Sequence, residues 1–106
     1  MPWRAALEMA WEAYCDDCLP IGAVVTDAEG QIISRGRNRI YQQRPADWSK
    51  PGAELEHAET EALRGLDFGA IDAHQCILYT TTEPCPMCLG TFYMSGVRTL
   101  HFASRE

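Results

Sequence analysis

Lysine is nearly missing from this 106-residue sequence: Lys50 is the only one, and nine basic residues face fifteen acidic ones for a net charge of −6. So acidic a chain has little general attraction for nucleic acid or an anionic membrane surface. No apolar run approaches the roughly 20 residues that span a bilayer. The opening Pro2-Trp3-Arg4, followed by Glu8, lacks the basic-then-apolar profile of a secretion signal. A paired disulfide framework is missing too, because the cysteines number five: Cys15, Cys18, Cys76, Cys85 and Cys88. An odd count without a signal favours reduced thiols or metal ligation, and a cytoplasmic setting. Repeats, linkers and low-complexity segments are absent, so residues 1–106 are expected to be one domain. At this length it buries about two-thirds of its unfolded surface.

The turn signals divide the chain cleanly. Ala6, Met9, Ala10, Ala13 and Tyr14 recur at helical spacing behind Pro2, predicting a helix to about Cys18 that Pro20 ends. Ile21–Thr26 and Gln31–Ser34 flank Asp27-Ala28-Glu29-Gly30 and predict an antiparallel hairpin. Residues 40–53, with Pro45, Asp47, Trp48, Ser49, Pro51 and Gly52, have loop composition. A second helix fits Glu54 to Arg64, with Gly65 beyond it, and Cys76–Thr81 is apolar enough for a central strand. Pro86 opens a third helix that Gly96 stops, and Val97–Phe102 forms a fourth strand. The expected fold class is α/β, a layered sheet with flanking helices in the order α-β-β-α-β-α-β.

The chemistry concentrates in two short segments. Cys85 and Cys88 lie three apart behind Pro84, so one helical turn presents both sulfurs on one face. His57 lies 28 residues earlier and offers a third ligand from a second helix, with Glu59 two positions on. Three protein ligands of this type, with one further carboxylate, point to catalytic Zn²⁺, because a closed structural site uses four. Such a centre keeps a position for water and brings its pKa down toward about 7. Glu59 would move the proton to a ring nitrogen and then to a leaving amine. The set suits hydrolysis of an amidine-type C–NH₂ bond. The alternative is a structural zinc clip, for which His74, Cys76 or His101 would have to supply a fourth ligand.

His57-Ala58-Glu59 and Pro84-Cys85-Pro86-Met87-Cys88 resemble the signature of the cytidine deaminase superfamily of zinc-dependent nucleobase deaminases. Leu19–Val25, Arg37-Asn38-Arg39 and Leu78–Cys85 are similar to its nucleoside, guanine and tRNA adenosine deaminase branch, so the likeness covers nearly the whole chain. The resemblance implies zinc ligands His57, Cys85 and Cys88, Glu59 as proton shuttle, and Asn38 and Ala58 in the base pocket. It also implies a small-molecule nucleobase or nucleoside substrate and a homodimer. Family members usually continue through another strand and one or more helices, so such C-terminal elements are expected to be missing here. A tRNA adenosine deaminase is the rival enzyme reading, and a non-enzymatic zinc-binding interaction module the rival outside enzymes.

The remaining features have plainer readings. Cys15-Asp16-Asp17-Cys18 has metal-type spacing but no partner pair, so incidental cysteines are expected. Cys76 reads as a buried strand residue. Arg35, Arg37 and Arg39 alternate with Gly36 and Asn38, which predicts a solvated strand face pointing away from Asn38 rather than a phosphate clamp. Tyr79, Phe92, Tyr93 and Phe102 read as core.

Overall fold

A computed structural model describes residues 2–39 and 57–105. Its elements follow the expected order: α1 (Pro2–Cys15), β1 (Gly22–Thr26), β2 (Ile32–Arg37), α2 (Ala58–Arg64), β3 (Ile77–Thr82), α3 (Pro86–Ser95) and β4 (Thr99–Ser104), with a 3₁₀ turn at Ala73–Gln75. The predicted loop over residues 40–53, including Trp48, and residues 54–56 lie outside the described residues. The second helix, expected from about Glu54, starts instead at Ala58, because His57 before it is extended, with φ −88° and ψ 153°. No helix among the described residues is long and apolar enough to cross a membrane.

The strands form one sheet in the order β2-β1-β3-β4. The hairpin β1/β2 and the pair β1/β3 are antiparallel, whereas β3/β4 is parallel and is connected through α3. Parallel neighbours need such a crossover, which sends the chain from the carboxyl end of β3 directly into the cysteine-bearing helix. Helix α1 covers one sheet face, where Ala5, Ala6 and Val24 pack with Trp3, Ile32 and Tyr79. Helices α2 and α3 cover the other, over a core containing Val25, Ala58, Leu63, Leu78 and Val97. Burying each large side chain there contributes about 1.5–3 kcal/mol.

Two backbone details set the sheet against its helices. The β1/β2 register slips between Val25 and Thr26, so Ile32 joins the α1 face while Ile33 packs on the α2 face. Gly22 and Gly36 then bring strand backbone against helix backbone: a Cβ on Gly22 would stand 2.0 Å from the Ala6 carbonyl oxygen, and one on Gly36 2.2 Å from that of Ala58.

Several expectations change. Helix α1 ends at Cys15, because Asp17 turns to a left-handed φ of 61° and the Cys18 N–H closes back on the Ala13 carbonyl. Strand β2 continues past Ser34 to Arg37, since hairpin pairing carries it through residues with weak strand composition. Tyr93 is 81% exposed and Phe102 40%, so neither belongs to the core. Helix α3 buries only Cys88 fully, and the apolar spacing of a short helix does not say which faces a neighbour covers. Cys76 is buried as expected, and burial raises its thiol pKa.

Candidate metal centre

The two metal-bearing segments meet at their helix starts. Cys85 is the residue that caps α3, in extended backbone conformation, with Pro86 at the first helical position. That geometry turns the Cys88 N–H toward the Cys85 Sγ at 3.5 Å. His57 stands in the same place before α2, its carbonyl accepting from the Glu61 N–H at 3.0 Å. Its side chain makes no cap bond and points across to α3 instead, with Nδ1 3.6 Å from the Cys85 Sγ.

The ligand atoms of His57, Cys85 and Cys88 all lie within 4.8 Å of one another. Zinc bond lengths of about 2.3 Å to sulfur and 2.05 Å to nitrogen place tetrahedral N and S ligands about 3.6 Å apart. The observed His57–Cys85 separation is therefore that of two ligands of one tetrahedral ion, and zinc fits. Among the described residues neither His74, Cys76 nor His101 joins the group. Among the described residues the set thus holds three ligands, which leaves one position of a tetrahedral ion open.

Glu59 follows in the first turn of α2 and is 4% exposed. Loss of hydration, the negative charge of Glu59 and the neighbouring Cys85 all raise the Cys88 thiol pKa. Loss of hydration is the largest cause, and together they push that thiol up to about 12, against a lowering hydrogen bond from Thr60. The Thr60 Oγ1 lies 3.4 Å from the Cys88 Sγ. Sequence reading missed Thr60, although its i, i+3 relation to His57 places it on the ligand face of the helix.

Asn38 is 1% exposed, and its N–H donates to the Ile21 carbonyl at 3.0 Å, extending the hairpin beyond β2. The Ala58 side chain is wholly buried in the core, which leaves its backbone N–H, in the first helical turn, as the group it can present. The arginines do not form the solvated face expected of them. Arg37 is only 3% exposed and pairs with Asp16 at 2.7 Å and Glu12 at 3.5 Å, both from the α1 side, while Arg35 approaches Glu8. Arg39 lies past the strand end and turns to the opposite face, where it pairs with Glu61 of α2. Alternation thus holds for Arg35 and Arg37 and fails for Arg39, because it applies only while the strand lasts.

Residues 3–104 match the model of the cytidine and deoxycytidylate deaminase zinc-binding region. The chain belongs to this deaminase family. A probable cytosine deaminase of Schizosaccharomyces pombe is 31% identical over 99 residues, which cover 93% of this chain and 56% of that protein. The guanine deaminase of Bacillus subtilis is 38% identical over 89 residues, covering 82% of this chain and 51% of the relative. Its crystal structure superposes with a TM-score of 0.78 at 32% identity over 98% of this chain and 62% of that one. A structure from work on tRNA:A34 deaminases gives the same TM-score at 29% identity, covering 99% and 75% of the two chains. The chain spans about half the length of each of these two curated relatives. As a member of this family it has a zinc-binding domain, and His57, Cys85 and Cys88 are placed to hold the ion.

Proposed function

We propose that this domain is a hydrolytic deaminase that removes an exocyclic amine from a nucleobase, nucleoside or close analogue and releases ammonia. The observation that carries the reading is the three-ligand His57–Cys85–Cys88 group, with the buried Glu59 in the first turn of the helix that His57 precedes. Zinc held there supplies Lewis acidity, which makes water a competent nucleophile at neutral pH.

The chain's own residues account for the rest. A C–O bond forms between water and the amine-bearing carbon, and the C–N bond breaks as ammonia leaves. Glu59 accepts the proton that water loses as the C–O bond forms and delivers it to the adjacent ring nitrogen. It then takes the remaining hydroxyl proton to the departing amine, so that a carbonyl is left as ammonia goes. Asn38 offers both a donor and an acceptor to the base edge. The Ala58 N–H, at the positive end of α2, adds a donor for a ring oxygen or nitrogen. The buried position of Glu59 keeps bulk water from intercepting the protons.

The tRNA reading has support of its own in the tRNA deaminase likeness. Against it, Arg35, Arg37 and Arg39 are each engaged with carboxylates of α1, its C-terminal turn or α2, in a chain of net charge −6. A small substrate is therefore preferred, and salt-sensitive retention of tRNA would reverse that preference. The homodimer and the cytoplasmic setting belong to the same proposal. A monomer by light scattering would remove the first.

The deciding experiment is an ammonia-release screen of the zinc-loaded protein across cytosine, adenine, guanine and their nucleosides. Glu59→Gln should retain one zinc per chain and lose turnover by about 10²–10⁴-fold. Zinc binding with no ammonia from any substrate would leave a zinc-binding interaction module in place of an enzyme.

A further inference from the structure

Strand β2 is fastened to α2 at successive inward positions. The Ser34 hydroxyl donates to the Ala62 carbonyl at 2.6 Å. Two residues on, Gly36 lies directly on the Ala58 carbonyl and the Ala62 nitrogen. The strand thus runs toward the start of α2, the end that carries His57 and Glu59, and the buried Asn38 follows directly where the strand ends. The pairing of β2 with β1 ends at Arg37, leaving the Asn38 N–H bond to Ile21 as its continuation. At this point Arg39 reaches Glu61 with a two-pronged contact, Nε to Oε2 and Nη2 to Oε1, the latter at 3.0 Å. Both side chains are largely shielded, at 31% and 25% exposure. Such a fork fixes orientation as well as distance, which a single-point ammonium contact cannot do. On the other flank, Arg37 ties the same strand end to Asp16 and Glu12.

We propose that the Arg39–Glu61 pair is a positioning device that holds Asn38 in register with the zinc-bearing start of α2. Neither residue touches the reacting atoms. They act through the backbone on either side of Asn38 and through the helix that presents His57 and Glu59. The consequence for substrate rests on the deaminase reading above; the positional claim itself does not.

Two readouts on the zinc-loaded full chain test it. Arg39→Lys and Glu61→Gln remove the fork while keeping side-chain size. Each should speed hydrogen exchange of the Asn38 amide at least tenfold and leave the Leu63 and Leu78 amides unchanged. The reversed pair Arg39→Glu with Glu61→Arg should restore most of the protection. For the substrate turned over fastest among cytosine, adenine, guanine and their nucleosides, KM should rise about fivefold to tenfold, with kcat within twofold and zinc content unaltered. Asn38 exchange within twofold of wild type in both single variants overturns the proposal. So does an equal acceleration at Leu63 and Leu78, which would make the pair a general stabiliser. If the unaltered protein turns over none of these substrates, the deaminase reading fails, and the exchange data still decide the positional claim.

Discussion

Gly36→Ala places a methyl group where β2 and α2 touch backbone to backbone. The new Cβ would lie 2.2 Å from the Ala58 carbonyl oxygen, 2.6 Å from the Ala62 nitrogen and 3.0 Å from the Glu61 Cβ. The two nearest atoms are backbone, so no rotamer change relieves the overlap, and strand and helix must part by about 1 Å to reach even a tight contact. Overpacking of this kind costs about 2–3 kcal/mol. In a domain of this size that is a fall of roughly 8–24 °C in Tm. Gly90→Ala is the control, since a Cβ there meets nothing within 4 Å. Helix α3 should gain about 0.5–1 kcal/mol from it. Both variants are compared with wild type by urea and thermal denaturation at saturating zinc, because bound metal itself raises stability. Gly22→Ala separates stability from site geometry: it meets α1 at 2.0 Å from the Ala6 oxygen, on the face away from the metal ligands. It should destabilise comparably while leaving the Asn38–α2 spacing intact. A Gly36→Ala protein as stable as Gly90→Ala would refute the close approach on which the placement of Asn38 rests.

Thr60→Val removes the hydroxyl 3.4 Å from the Cys88 sulfur at little change in volume. It should weaken zinc binding about tenfold or more, read by competition with a chelating dye; an unchanged affinity would show that the hydroxyl does not support the thiolate. Metal loading should also be steeply pH-dependent. With its thiol pushed up to about 12, Cys88 is protonated throughout pH 6–8 in the metal-free protein, so binding must displace that proton. Zinc affinity should rise at least tenfold per pH unit there, and a shallower slope would contradict the placement of Cys88. The same raised value means that the folded metal-free protein holds this proton more tightly than the unfolded chain. That stabilisation is complete below the ordinary thiol pKa of 9.0 and is lost as the pH rises toward 12. A metal-free Tm that stays flat between pH 8 and 10.5 would argue against it.

The ligand set was legible in the sequence because it depends on local rules. Cys85 and Cys88 share a helical turn, Pro86 fixes where that turn begins, and the Gly96 stop is a left-handed cap with φ of 85°. Element order was legible for the same reason, as hydrophobic period and turn residues act within a few positions of one another. What residues three or four apart cannot encode is which distant surface they will face. Tyr93 and Phe102 looked like core, yet both are exposed, since their burial depends on whether another element covers α3 and β4. Arg37 looked like surface and is nearly sealed, because α1 supplies Glu12, and the turn after it Asp16, from more than 20 residues away.

The sequence by itself therefore pointed to a zinc site: two thiols and an imidazole at helix starts are a donor set that suits this ion. Only the tertiary structure decided how those parts stand to one another. The 3.6 Å between His57 and Cys85, the hydroxyl of Thr60 on Cys88, and the fork from Arg39 to Glu61 each join segments at least 20 residues apart. The last of these depends on packing α2 against β2 at Gly36, where the absence of a side chain lets backbones meet.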